Sequence, residues 1–226
     1  MTIKLAVFDI DGTLAPTEDP IPAEVARQLR DLEKRGIRIV FISGRTASYL
    51  AGLARGSGIY HAWVAGENGG VIFDPASKWE KIMVSIPYHE TETMKKTLLH
   101  QFHDLWFQPN QTMLTPTPKR KEQVEALHRA VLKLDPVINN GYKINIYDDC
   151  VEIMPRQNSK GKALAVIKDL FRVKSDEVIV FGNTVVDLPM KEETSQFVMI
   201  GDAGQNEEIS HYEHIGIAFR ELQLLR

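Results

Sequence analysis

The chain has 226 residues, which at about 150 residues per domain makes one or two domains and allows burial of about 70% of the unfolded surface. Hydrophobic residues make up 43% and charged residues 25%, the proportions of a globular chain and not of a disordered one. A net charge of −3 supplies no field to gather nucleic acid or anionic membrane, no apolar run approaches the roughly 18 residues of a membrane span, and the single cysteine, Cys150, excludes an intrachain disulfide and fits a reducing compartment. The segment from Met1 to Phe8 leads into acidic residues instead of a signal-peptide cleavage site. The expected location is therefore the cytoplasm, with neither nucleic acid nor membrane as a partner.

Along the chain, short apolar runs alternate with longer amphipathic ones. Ile3 to Phe8 reads as a buried strand that stops abruptly at Asp9-Ile10-Asp11-Gly12-Thr13. Pro22 to Arg35 reads as a helix: Val25, Leu29 and Leu32 recur at helical spacing, Pro22 suits its first turn and Gly36 its stop. Ile37 to Ile42 is the next strand, Thr46 to Ala54 a helix, and Ala62 to Ala65 and Gly70 to Phe73 short strands. Such alternation predicts a parallel α/β sheet with helices on both faces. From about residue 81 to 156 the texture changes. Thr91 to Phe107 and Lys119 to Leu134 read as helices, and Tyr142 to Tyr147 and Val151 to Met154 as an antiparallel hairpin turning at Asp148-Asp149. The aromatic trio Phe102, Trp106 and Phe107 has helical spacing and reads as core of this insert. The opening texture then resumes with a helix from Ser159 to Phe171, a strand from Val178 to Phe181, a helix near Leu188 to Glu193 and a strand from Phe197 to Ile200. The expected organisation is a core of residues 1–80 and 157–226 split by an α+β insert of residues 81–156.

Four motifs fall where an open parallel sheet binds ligands, beyond the carboxyl ends of its strands. Asp9 and Asp11 follow the first strand. Two acids so close do not share a dry site as anions unless a cation lies between them, and Asp and backbone oxygens suit Mg²⁺; a polar turn is the plain alternative, and the spacing of a calcium loop is absent. Ser43-Gly44-Arg45 follows the second strand and offers a hydroxyl, backbone N–H groups and a helix start as an anion cradle, although Ser-Gly is also an ordinary turn. Lys160 stands at the start of a helix, against the preference of the helix dipole, as a cation for a phosphate or an aspartate; Lys162 is its competitor. Asn183 and Asp187, in Gly182-Asn183-Thr184-Val185-Val186-Asp187, can point oxygens at the same cation, or form an Asx-type turn into a helix. Together they supply a carboxylate nucleophile, a second carboxyl for proton transfer, hydroxyl and amide donors, a lysine and a metal site. That kit suits phosphoryl transfer, where catalysis is mostly positioning and neutralisation of charge.

In these residues the chain resembles the haloacid dehalogenase superfamily. Asp9 to Thr13 is similar to its first motif, Ser43-Gly44-Arg45 to its second, Lys160 to its third and Gly182 to Asp187 to its fourth. The run Asn158 to Leu164 and the stretch Gly66-Glu67-Asn68-Gly69-Gly70 resemble the Cof-type branch, which carries a large α/β cap between the second and third motifs. The resemblance implies a Rossmann-like core with an inserted cap and a phosphatase of small phosphate monoesters, of the sugar phosphate or phosphoglycolate type. It implies that Asp9 attacks phosphorus, Asp11 protonates the leaving alcohol and then activates water, and Ser43, Gly44 and Lys160 hold the phosphoryl group. Mg²⁺ would sit on Asp9, the backbone carbonyl of Asp11, Asn183 and Asp187. The family pattern in the fourth motif is Gly-Asp-x-x-Asn-Asp, so Asn183 stands where an acid is expected and Val186 where an Asn is expected. This departure leaves a weakened phosphate- or partner-binding module as the alternative, with a phosphomutase behind it. Substrate contacts from the cap have candidates in His89, Asn145, Tyr147 and Arg156, and Cys150 reads as a packed thiol.

Overall fold

The structure is a computed structural model that describes residues 2–17, 19–201, 209–222 and 224; Met1 and parts of the expected core segment 157–226 lie outside them. The chain divides into two compact units, Met1–Lys81 with Ser159–Arg226, and Ile82–Asn158. Its elements in chain order begin with β1 (Leu5–Phe8), α1 (Ala23–Lys34), β2 (Arg38–Ile42), α2 (Ala47–Gly56), β3 (Trp63–Gly66), β4 (Val71–Asp74) and β5 (Trp79–Ile82). Then follow α3 (Tyr88–Gln101), β6 (Leu105–Phe107), β7 (Pro116–Pro118), α4 (Val124–Val131), α5 (Asp135–Asn140), β8 (Lys143–Ile146) and β9 (Val151–Met154). The last group is α6 (Lys160–Phe171), β10 (Val178–Gly182), β11 (Gln196–Ile200), β12 (Ser210–Tyr212) and α7 (Ile215–Glu221).

One sheet runs in the order β12-β11-β10-β1-β2-β3-β4-β5. Its pairings from β12 to β3 are parallel, whereas β3 and β4 pair antiparallel. The expected parallel sheet is present and gains an antiparallel pair at one side, because only the short turn Glu67–Gly69 joins β3 to β4 and a parallel pair needs a longer crossover. Alternation along the strands sorts the two faces. Ala6, Phe8, Ile39, Phe41, Ile179 and Phe181 share one core with Val25, Leu29, Leu50 and Phe219 from the helices α1, α2 and α7. Phe8 and Phe181 are register partners and stack with centroids 5.0 Å apart, capped edge-on by Phe219. Leu5, Val7, Val40 and Ile42 point to the opposite face and are fully buried. There Trp63, the partner of Val40, packs edge-to-face against Phe171 at the end of α6. Among the described residues no helix is long and apolar enough to cross a membrane.

In the unit Ile82–Asn158, Met94, Leu98, Leu127, Val131, Val151 and Ile153 form a separate core. The expected hairpin is present, with Lys143 opposite Met154 and Ile146 opposite Val151. The expected helix Thr91 to Phe107 is corrected. Phe102 caps α3 in an extended conformation, and Leu105 to Phe107 form a strand against Pro116–Pro118. Strand period then replaces helical period: Leu105 and Phe107 pack on the core with Phe102, while Trp106 is 57% exposed and is not core. The helix expected from Lys119 starts later, at α4, and Asp135-Pro136 opens the separate helix α5. The segment Leu188–Glu193 is a 3₁₀ turn with Pro189 in its first turn. Asn145 and Tyr147 both donate to the buried carboxylate of Glu152, at 3.0 and 3.1 Å. His89 is exposed on α3 and Arg156 donates to the carbonyl of Gly141. The carbonyl of Cys150 accepts the N–H of Tyr147 across the hairpin turn.

Candidate active site

The alternation that buries Leu5 and Val7 carries one step further. Asp9, the next residue on that face, emerges at the carboxyl end of β1, with its N–H bound to the carbonyl of Phe181 at 3.0 Å. Because α6 lies on that same face, its first residue is delivered to Asp9. Ser159 caps the helix by accepting the N–H of Lys162, and the side chain of Lys160 turns inward. Lys160 Nζ stands 2.7 Å from Asp9 Oδ1 and 2.6 Å from Asp187 Oδ1. All three side chains are buried, with exposures of 4%, 8% and 0%. Lys162, its competitor from the sequence, is exposed.

Asp187 is anchored twice. Its second oxygen, Oδ2, accepts the backbone N–H groups of Asn183 and Thr184 at 3.0 Å each, and the Thr184 hydroxyl at 3.2 Å. The loop after β10 therefore closes on its own acid, and a Cβ at Gly182 would lie 2.6 Å from Asp187 Cβ. The loop after β1 makes a similar approach. Gly12 has φ of +81°, and a Cβ there would fall 2.0 Å from Asn183 Nδ2, so only glycine fits both the backbone and the neighbour. Thr13 Oγ1 lies 3.3 Å from Asn183 Oδ1 and, at the limit of a hydrogen bond, 3.5 Å from Asp9 Oδ2. This hydroxyl, part of the first motif but without an assigned role in the sequence, ties the two loops together.

Ser43 emerges at the end of β2 and is 3% exposed. Its Oγ accepts the N–H of Arg45 at 3.3 Å, a bond that uses an acceptor site and not the O–H. Gly44 lies in the bend between β2 and α2. The turn after β3 buttresses this loop, since Asn68 N–H donates to Ser43 O and Glu67 N–H to Arg45 O. Glu67 and Asn68 sit at φ of 57° and 51°, a left-handed pair of non-glycine residues that costs on the order of 1–3 kcal/mol each and persists where surroundings impose it. The carboxylate of Asp11 meets Arg45, which the sequence marks only as the end of a motif.

Charge explains the site's protonation. Burial pushes Asp9 up, and the charge of Asp187 adds to it; Lys160 offsets only part of this, leaving Asp9 at about 7. Burial alone would lower Lys160, but Asp187 and Asp9 outweigh it and hold the ammonium form. Burial would raise Asp187, but Lys160 and the backbone amides of Thr184 and Asn183 bring it below the ordinary value. A metal-free folded protein thus keeps a proton on Asp9 that the unfolded chain, ionising near about 3.9, has released. The associated stability is complete below that value and is lost as pH rises through about 7. In chelator, the melting temperature of the wild type is expected to fall between pH 5 and pH 8 by more than that of Asp9→Asn; parallel curves for the two proteins would contradict this.

The oxygens of Asp9 and Asn183 with the Asp11 backbone carbonyl are a hard, all-oxygen set that fits Mg²⁺, which keeps several waters of its own; Asp187, expected in this set, has one oxygen on Lys160 and the other on the loop of Asn183 and Thr184. Among the described residues no group of three His, Cys, Asp or Glu side chains is arranged to hold a metal by itself, so the fit relies on the Asn183 amide and the carbonyl.

A profile of the haloacid dehalogenase-like hydrolases matches residues 6–147 and 138–210. A phosphoglycolate phosphatase of Thermoplasma acidophilum is 25% identical over 235 residues, covering 99% of this chain and 100% of the relative. One of Thermoplasma volcanium is 28% identical over 194 residues, covering 84% and 81%. The crystal structure of a haloacid dehalogenase-like hydrolase from Bacteroides thetaiotaomicron superimposes with a TM-score of 0.82 at 16% identity, covering 98% of this chain and 100% of that one. A subclass IIB sugar phosphatase of the same superfamily gives 0.72 at 19% identity, covering 98% and 99%. At such identities the structural likeness speaks for the fold.

Proposed function

The chain belongs to the haloacid dehalogenase-like hydrolases, in their Cof-type branch, and on that premise we propose that it is a cytoplasmic, Mg²⁺-dependent phosphatase of small phosphorylated metabolites that works through an aspartyl-phosphate on Asp9. The observation that carries this reading is the buried Asp9–Lys160–Asp187 cluster at the carboxyl ends of β1 and β10, with a second carboxyl two residues beyond the nucleophile. The relatives named phosphoglycolate phosphatase support a small phosphate monoester as substrate.

Asp9 attacks phosphorus through a carboxylate oxygen while the bond from phosphorus to the leaving oxygen breaks. The electron pair of that bond goes to the leaving oxygen, which takes the proton of Asp11 and departs as an alcohol. Asp11, now a carboxylate, takes a proton from a water whose oxygen attacks the phosphorus of the aspartyl-phosphate. Inorganic phosphate leaves, and both carboxyl groups return to their starting states. Lys160, fixed by Asp187, and the hydroxyl and amides of Ser43-Gly44 hold the charge of the transferring group. Residues 82–158 are assigned the role of the cap that reads the leaving group. Asp9, the Asp11 carbonyl and Asn183 would hold Mg²⁺, whose positive charge would favour ionised Asp9 and offset the phosphoryl oxygens, while Asp187 holds Lys160.

Phosphate release from 4-nitrophenyl phosphate with Mg²⁺, and its loss in chelator, tests the reading. Absence of turnover over a wide Mg²⁺ range would favour the binding-module alternative that Asn183 raises. Since an amide oxygen carries no net charge, Asn183→Asp is expected to lower the half-activating Mg²⁺ concentration by about tenfold, the scale of a change beside a metal ligand. An unchanged metal titration would remove Asn183 from the account.

A further inference from the structure

We propose that Arg45 is a positioning residue for Asp11: it fixes the orientation of the carboxyl that protonates the leaving group. This inference rests on the phosphatase reading above and deepens it. Arg45 Nε is 3.0 Å from Asp11 Oδ2 and Nη2 is 3.1 Å from Oδ1, the two-pronged geometry in which a guanidinium sets the plane of a carboxylate.

The guanidinium is itself held. The backbone N–H of Arg45 donates to Ser43 Oγ at 3.3 Å, and its carbonyl accepts the N–H of Glu67 at 2.8 Å. Thr46, the next residue, caps α2 by accepting the N–H of Tyr49 at 3.2 Å, and the guanidinium stands 5.7 Å from the centre of the Tyr49 ring. The turn that presents Ser43 to the transferring phosphoryl group therefore also sets where Asp11 points. Stability does not account for this investment of contacts. The two side chains are 33% and 28% exposed, and pairs this open to water contribute little to folding.

Orientation of a general acid has a signature that a structural role lacks, because it matters in proportion to how much the leaving oxygen needs a proton. The test uses three probes of similar shape, 4-nitrophenyl, phenyl and benzyl phosphate, with wild type, Arg45→Met and Arg45→Lys. The readout is kcat/KM, which covers the steps up to transfer onto Asp9 and excludes the later hydrolysis. The expected result is a loss on the order of 10²-fold with benzyl phosphate in both variants, the lower end of a general-acid contribution, shrinking through phenyl to near wild-type values with 4-nitrophenyl phosphate. Arg45→Lys keeps the charge without the fork, so it is expected to fail alongside Arg45→Met. An equal loss on all three probes, a loss only in Arg45→Met, or no loss would each overturn the role assigned to Arg45 while leaving the phosphatase reading in place. A wild type inactive on all three would overturn the phosphatase reading, and this inference with it.

Discussion

Asp9→Asn is expected to lower phosphate release by at least about 10³-fold, the scale of losing a covalent nucleophile, and at the same time to make the metal-free protein more stable. The two effects share one cause. Asp9 and Asp187 both lean on the single ammonium of Lys160, so the metal-free cluster holds more negative charge than it can neutralise. Burial and the neighbouring carboxylate raise Asp9 to about 7 for that reason. An amide of the same shape keeps an oxygen for Lys160 and removes the surplus charge. Activity and melting temperature in chelator, measured on the same preparation at pH 8, check both halves. A variant that is inactive and also less stable would mean that Asp9 holds the fold together, contrary to its assigned role.

Lys160→Met has the opposite character. It removes the cation between two carboxylates whose exposures are 8% and 0%, and loss of one partner from a buried pair costs about 3–5 kcal/mol. Urea unfolding at neutral pH reads the loss directly, and activity is expected to disappear with it. The double variant Lys160→Met with Asp9→Asn is expected to recover more stability than Asp9→Asn adds to the wild type, because the residues are coupled and their effects do not add. Additive effects in that cycle would show that Lys160 supports the site through packing alone.

The parts of the molecule that are legible in its sequence are those decided within a few residues. Leu5 to Phe8 and Val178 to Phe181 are short, wholly apolar and stopped by polar turns, which marks buried strands and places Asp9 and Asn183 at their carboxyl ends. Lys160 is visible through its conflict with the helix dipole. Contacts between distant segments leave no such local trace. Arg45 and Asp11 are 34 positions apart, and nothing near either announces a fork between them. Thr13 joins the first loop to Asn183 across 170 positions. In the insert, Leu105, Trp106 and Phe107 satisfy a helical pattern as readily as a strand, and the pairing with Pro116–Pro118 decides the outcome. The strands β5 and β12 are short edge elements, and they and the helix α7 are too brief for their periodicity to be read. The left-handed pair Glu67 and Asn68 is set by the turn that supports Ser43 and Arg45, not by any preference of those residues.

The central claim is that Asp9 carries the phosphoryl group between substrate and water. Acid-quenching Asp11→Asn during exposure to 4-nitrophenyl phosphate and Mg²⁺ tests it most directly, since this leaving group needs no proton while hydrolysis of the intermediate needs the base. Peptide mass spectrometry is expected to find one phosphoryl group on Asp9 in a large fraction of the protein. Release of nitrophenol with the Asp9 peptide unmodified at every time point, or the phosphoryl group on another residue, would contradict the account.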